Sequence, residues 1–142
     1  MSMRERLIRP LSQAEALERL GSVSLGRLVF SYQALPDIRP VNHLLDDGQV
    51  IVRSHIGAAV VSAVDGLVTV VAYEADDIDP VTHLGWSVIV RGSAELVKEP
   101  GEIARYQRLL RPWGSRQMDY VIRIKPAIIT GIELVSHEAA AS

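Results

Sequence analysis

The stretch Ile38 to Asp65, IRPVNHLLDDGQVIVRSHIGAAVVSAVD, decides how the rest of the chain is read. Ile38 to Leu45 is an extended apolar run that carries Arg39, Asn42 and His43 and stops at Asp46-Asp47-Gly48. Asp-Gly between two apolar runs is a strong hairpin signal, because glycine reaches the positive φ of a tight turn at little steric cost. The return strand, Gln49 to Ser54, is rich in β-branched residues and ends in the polar pair Arg53-Ser54. His55-Ile56-Gly57 follows, and then Ala58 to Val64, a small-residue amphipathic segment that fits about two helical turns. A strand ending in Arg-Ser beside a helix N-terminus brings together a guanidinium, a hydroxyl and unpaired backbone N–H groups, which is the chemistry of an anion site. On residue types alone, Arg53 as an ordinary strand-end charge and Ser54 as a helix cap is the weightier reading.

Working outward, 142 residues with one Phe, two Trp and 48% hydrophobic content predict a single compact domain whose core is Val, Leu and Ile. Fifteen Lys and Arg stand against 17 acids, so no basic surplus attracts a nucleic-acid backbone. The absence of cysteine excludes disulfides, thiolate metal sites and thiol catalysis. No apolar run has membrane-spanning length and no secretory signal is present, so the reading is a cytoplasmic protein without a membrane partner.

Met1 to Pro10 is charged and reads as a loose arm, with Leu7 and Ile8 able to dock on a neighbour. Ser12 and Glu15 form a capping box for a short helix that carries Leu17 and Leu20 on one face and stops at Gly21. Val23 to Ser31 reads as the first barrel strand, with Gly26 at a bulge or corner. Gln33 to Ile38, containing Pro36-Asp37, reads as a turn. Leu67 to Glu74 is almost continuously apolar and predicts a strand covered on both sides, the most buried of the sheet. Asp76, Asp77 and Asp79 read as a solvated acidic loop, because the glycine and distal glutamate of a calcium loop are missing; no metal is assigned. Gly85 to Leu96 is a long strand and Gly101 to Leu110 a helix with Ile103, Tyr106 and Leu110 on one side. Tyr120 to Ile124, interrupted by Lys125-Pro126 and resumed from Ile128 to Val135, closes the sheet, and residues 136–142 read as a frayed tail. The count gives six or seven strands and two or three helices, a mainly β chain that forms a small barrel with short helices attached.

Three segments in order, Arg39-Pro-Val-Asn42 with Arg53-Ser54 after the hairpin, Gly85-Trp-Ser-Val-Ile-Val-Arg-Gly92, and Arg123-Ile-Lys-Pro126 through Thr130-Gly131, resemble the pyridoxamine 5'-phosphate oxidase-like superfamily of actinobacterial type, the FMN-binding split β-barrels. The resemblance runs from about Leu11 to Val135, and residues 11–135 are assigned as the flavin-binding domain. It implies a homodimer with cofactors in two equivalent grooves between subunits, since one small barrel has too little interior to enclose a flavin. It further implies that Arg39 and the backbone of Val41 and Asn42 face the pyrimidine side of the ring, that Arg53 and Ser54 hold the phosphate or ribityl end, and that Trp86 with Ser87 edges the ring. For Trp86 a place in the core or a dimer interface is an equal alternative. The small hydroxyl and the lysine expected after Gly57 are Ala58 and Ala59 here, and with a charge-assisted phosphate contact worth on the order of 1.5–3 kcal/mol, their loss weakens a phosphate site by roughly one to three powers of ten.

No side chain announces acid–base or nucleophilic chemistry. His43, His55, His83 and His137 are not spaced as metal ligands, and structural or solvent-facing roles are the expectation for each. This fits a flavin oxidoreductase acting on a small redox substrate, because the cofactor performs the electron chemistry while the protein binds and tunes it. The alternative is a non-catalytic split-barrel protein holding a deazaflavin coenzyme, haem or another small ligand, kept open by the two alanines.

Overall fold

The computed structural model describes residues 6–54, 69–111 and 120–137. Seven strands and two helices appear there: β1 (Arg6–Pro10), α1 (Gln13–Gly21), β2 (Leu25–Tyr32), β3 (Leu35–Asp46), β4 (Gln49–Ser54), β5 (Thr69–Ile78), β6 (Gly85–Leu96), α2 (Pro100–Leu109) and β7 (Tyr120–Ser136). All strand pairings are antiparallel, in the order β1-β7-β4-β3-β2-β5-β6, and a further β6–β7 pairing closes the sheet on itself. The result is a split β-barrel: the pattern of short strands predicts a small barrel, and the family resemblance implies its split form.

The Asp46–Gln49 hairpin forms as read, with Asp47 at φ +52° and Gly48 at +73°, both in the left-handed region that a two-residue turn between twisted strands requires. The second hairpin falls elsewhere than expected. Its turn is Gln33-Ala34, at φ +50° and +65°, and Pro36-Asp37 belong to β3. Pro36 and Pro40 are tolerated because β4 pairs only with His43–Asp46, so the prolines lie where β3 has no second described neighbour to receive an N–H.

The capping box is present in both directions, Glu15 N–H to Ser12 Oγ at 3.1 Å and Ser12 N–H to Glu15 Oε1 at 3.0 Å. Gly21 is the last helical residue and Ser22, with ordinary helical angles, is the C-cap; Ala16 and Leu20, one turn apart, are the buried pair. They plug the barrel's interior together with Leu28, Val50, Val52, Tyr73, Val88, Val90 and Ile122. A second cluster lies on the outer side, where α2 sets Tyr106 and Leu110 against Ile51, Val97 and Val121. β4 therefore has Val50, Ile51 and Val52 all buried and is covered on both faces, as is the start of β7 at Val121 and Ile122. β5 instead alternates, with Val71, Tyr73 and Ala75 inward and Val70 72% exposed, so its apolar run does not mark a doubly covered strand.

Two further expectations change. The amino-terminal arm contains a strand over residues 6–10, paired from Arg6↔Ser136 to Pro10↔Ile132, and Ser136, read with the tail, belongs to β7, while residues 138–142 lie outside the described residues. β7 is continuous: Lys125-Pro126 does not break it but sits beside a bulge, where the register to β6 jumps from Arg91↔Ile128 to Gly92↔Pro126. A Cβ on Gly92 would lie 2.0 Å from the Lys125 carbonyl oxygen, which explains glycine there.

No described helix covers the outer side of β2, β5 and the middle of β6. Leu25, Ile38, Val70, Ile78, Ile128 and Ile132 all lie exposed on this side. Exposed apolar groups gathered on one sheet face mark an interaction surface.

Candidate functional site

Asn42 and Arg53, on neighbouring strands, converge on one place, the C-terminal end of α2. Arg53 Nη1 donates to the carbonyl oxygens of Gln107 at 3.0 Å and Leu110 at 2.8 Å, and Asn42 Nδ2 donates to that of Arg111 at 2.9 Å. A guanidinium at a helix C-terminus meets both the last carbonyls and the negative end of the macrodipole, so Arg53 also caps α2. The helix is fixed to the barrel by a polar knot below it. Asp46 Oδ2 accepts from Tyr106 Oη at 2.5 Å and from Arg105 Nη2 at 2.5 Å, while Arg123 pairs with Glu102. The Tyr106 hydroxyl first, then Arg105, hold the Asp46 carboxyl below its usual range.

Arg39 lies on the inner side of the long β2–β3 hairpin and pairs with Asp37 at 3.1 Å. Val41 is buried and its carbonyl oxygen lies 3.3 Å from Tyr73 Oη. Trp86 is in the interior cluster, 8% exposed, so its indole fills the barrel core. Ser87 points the other way, onto the outer side of β6. Ser54 pairs as backbone with Tyr120, and Ala58, Ala59 and His55 lie outside the described residues. The structure thus brings Asn42 and Arg53 together, places Arg39 on the opposite side of the same strand, and separates Trp86 from all three.

His43 is a structural histidine, 4% exposed. Nε2 lies 2.8 Å from the Leu20 carbonyl and Nδ1 lies 2.5 Å from Tyr73 Oη. A carbonyl can only accept, so Nε2 carries the proton and Nδ1 accepts from the phenol. Burial holds the imidazole below its usual pKa of 6.5. Tyr73 and the pairing of Arg27 with Glu74 and Asp76 were not singled out by sequence reasoning, and Asp76 and Asp77, read there as part of an acidic loop, belong to β5, whose ladder to β6 runs on to Ile78. Gly26 carried the one usable signal: a Cβ there would sit 2.4 Å from the Tyr73 ring, so the glycine makes room for the phenol. Arg27 Nη1 donates to Glu74 at 3.1 Å and Asp76 at 3.4 Å, at the rim of an open depression of about 810 Å³ whose lining includes Ser22, Ser24, His43 and Asp77 but none of Arg39, Asn42 and Arg53. Asp79 caps its own turn by accepting from Val81 and Thr82 N–H.

A flavin offers an electron-rich pyrimidine edge, a ribityl chain and a terminal phosphate; the amide of Asn42 and the guanidinium of Arg53 are donors of the type such acceptors take, held here by carbonyls at the C-terminal end of α2, while the Arg39 guanidinium lies on the other side of β3 beside Asp37.

The family model for pyridoxamine 5'-phosphate oxidase matches residues 12–133, from the α1 cap to the middle of β7's second half. The chain belongs to the pyridoxamine 5'-phosphate oxidase family. The chain is 53% identical over 130 residues to the uncharacterized protein Rv0080 of Mycobacterium tuberculosis, covering 89% of this chain and 85% of that one. A Corynebacterium glutamicum protein provisionally described as a pyridoxamine 5'-phosphate oxidase has a solved structure that matches with a TM-score of 0.79 at 39% identity, covering 91% of this chain and 99% of its own. The FAD-binding protein of Mycobacterium smegmatis matches with a TM-score of 0.67 at 35% identity, covering 87% and 97%. Among the described residues, no helix is long and apolar enough to cross a membrane.

Proposed function

We propose that this chain is a flavin-dependent oxidoreductase that works as a homodimer, with FMN lying in a groove between subunits. The observation that carries the reading is family membership over residues 12–133 combined with the placement of Asn42 and Arg53 together on the outer side of β3 and β4. Arg39 and the Val41–Asn42 backbone serve the pyrimidine edge, where positive charge favours the reduced anion, and Arg53 with Ser54 serves the phosphate end. Bound flavin supplies the electron transfer. The protein binds it, excludes water and supplies charge. The exposed apolar face of β2, β5, β6 and β7 supports assembly of two copies, which a barrel too narrow for an internal flavin requires.

A second reading, in which FAD or the deazaflavin coenzyme replaces FMN, is favoured by the M. smegmatis FAD-binding neighbour and by the alanines at 58 and 59. A phosphate within a diester carries less charge than the terminal phosphate of FMN and asks less of those positions. The test is titration of the purified protein with FMN, FAD and the deazaflavin coenzyme, followed by visible absorbance and thermal shift. FMN binding with a flavin spectrum is the expected result. Binding of one of the other two alone replaces FMN with that cofactor, and no response to any of the three overturns the proposal.

A further inference from the structure

The outer face proposed for assembly carries charge as well as apolar surface, and within one subunit the charge is not balanced. Glu74 and Asp76 stand two positions apart on β5 and point to the same side, and one guanidinium, that of Arg27 on β2, serves both. Burial, then the hydrogen bond and negative charge of Asp76, push Glu74 up to about 7, the response of a carboxyl pair with too little positive charge nearby. On the adjacent strand Arg91 is exposed on this same face. It pairs across the ladder with Ala72 and is therefore diagonal to Glu74, and among the described residues it makes no ion pair or hydrogen bond. Charged groups facing Glu74 are thus Arg27 from β2, Asp76 on its own strand and Arg91 from β6; its direct cross-strand neighbour is Ile89.

We infer that Arg91 docks into the Glu74–Asp76 pair of a second copy of this chain, so that each subunit supplies the cation the other lacks. The inference rests on the dimeric reading above and names the contact that fixes it. An isologous seam makes every such contact twice, so a single arginine per chain neutralises both carboxyl pairs. The apolar residues around it, Val70 and Ile89 on the flanking positions and Ile128 across the ladder from Arg91, exclude water and strengthen the attraction. Charge placed this way sets register and partner choice, while the apolar surface supplies the bulk of the affinity.

The experiment measures the dimer dissociation constant by analytical ultracentrifugation for the full chain, Arg91→Glu, Glu74→Lys and the double variant, with Arg91→Gln as a neutral control. These side chains face outward, so circular dichroism stays that of the parent. Each single reversal is expected to weaken association about tenfold or more, and the double reversal to recover most of that loss. The parent dimer also tightens as pH rises through about 7, because a partner's guanidinium favours ionised Glu74; Glu74→Gln abolishes that dependence. A dimer that ignores Arg91→Glu, or a double variant no tighter than the singles, overturns the Arg91 contact and leaves the dimeric reading standing. A chain that stays monomeric at all concentrations overturns both.

Discussion

Tyr73, His43 and Gly26 form a chain of contacts through the barrel's interior, and each is there because of the next. Gly26 leaves room for the phenol, the phenol donates to His43, and His43 ties the last turn of α1 to the sheet. Tyr73→Phe removes the donor and leaves Nδ1 a buried acceptor without a partner, which costs about 1–3 kcal/mol. Urea denaturation reads this as a lower midpoint with an unchanged slope, and an unchanged midpoint means Nδ1 has another donor. His43 also makes stability pH-dependent. Its folded pKa lies below the unfolded 6.5, so the unfolded chain binds the extra proton first. Its contribution is complete above 6.5 and declines as pH falls below it. Comparing the slope of stability against pH just below 6.5 in the parent and in His43→Gln checks this: the variant loses the histidine's share of the slope.

At the scale of elements, Arg53 matters most for what it does to α2. Arg53→Gln withdraws the cation that holds the Gln107 and Leu110 carbonyls, so the last turn of α2 opens more often while the barrel is undisturbed. Hydrogen exchange reads it: the Leu110 amide, which bonds to the Tyr106 carbonyl, speeds up, and the amides of β6 do not. Protection unchanged at Leu110 means Arg53 is not the cap. Elements with local chemistry were legible in the sequence. Asp47-Gly48 announced its hairpin, Ser12 and Glu15 their helix, and the spacing of Ile103, Tyr106 and Leu110 the face of α2. What was not legible depended on partners distant in the chain. Nothing local in Arg6–Pro10 says that residues 132–136 will pair with it, and the apolar run of β5 could not reveal that one of its faces is left exposed at Val70 and Ile78. The site divides the same way. Arg53 and Asn42 were singled out by motif, but that both would meet the end of α2, and that Trp86 would turn inward, depends on α2 packing and strand register.

For the molecule as a whole, the two ends of the described chain close on each other, and this closure is electrostatic and backbone rather than hydrophobic. β1 contributes no buried side chain, and Ile8 is 65% exposed. What holds it is the ladder to β7, the Leu11 N–H to the Gly131 carbonyl at 2.9 Å, and Glu133, which pairs with Arg9 on β1 and at 3.2 Å with Arg19 on α1. Arg9 first, then Arg19, hold the Glu133 carboxyl below its usual range. Surface pairs of this kind are worth at most about 1 kcal/mol each, so β1 is an addition to a barrel that the β6–β7 pairing already closes. A chain lacking residues 1–10 therefore folds into the same barrel, with a near-parent circular dichroism spectrum, a modestly lower urea midpoint and a single cooperative transition. The bare edge of β7 over Ile132–Ser136 then invites edge-to-edge pairing, so light scattering of the truncated chain rises with concentration. A truncated chain without cooperative unfolding would place β1 among the elements that build the core, against the burial pattern of its five residues.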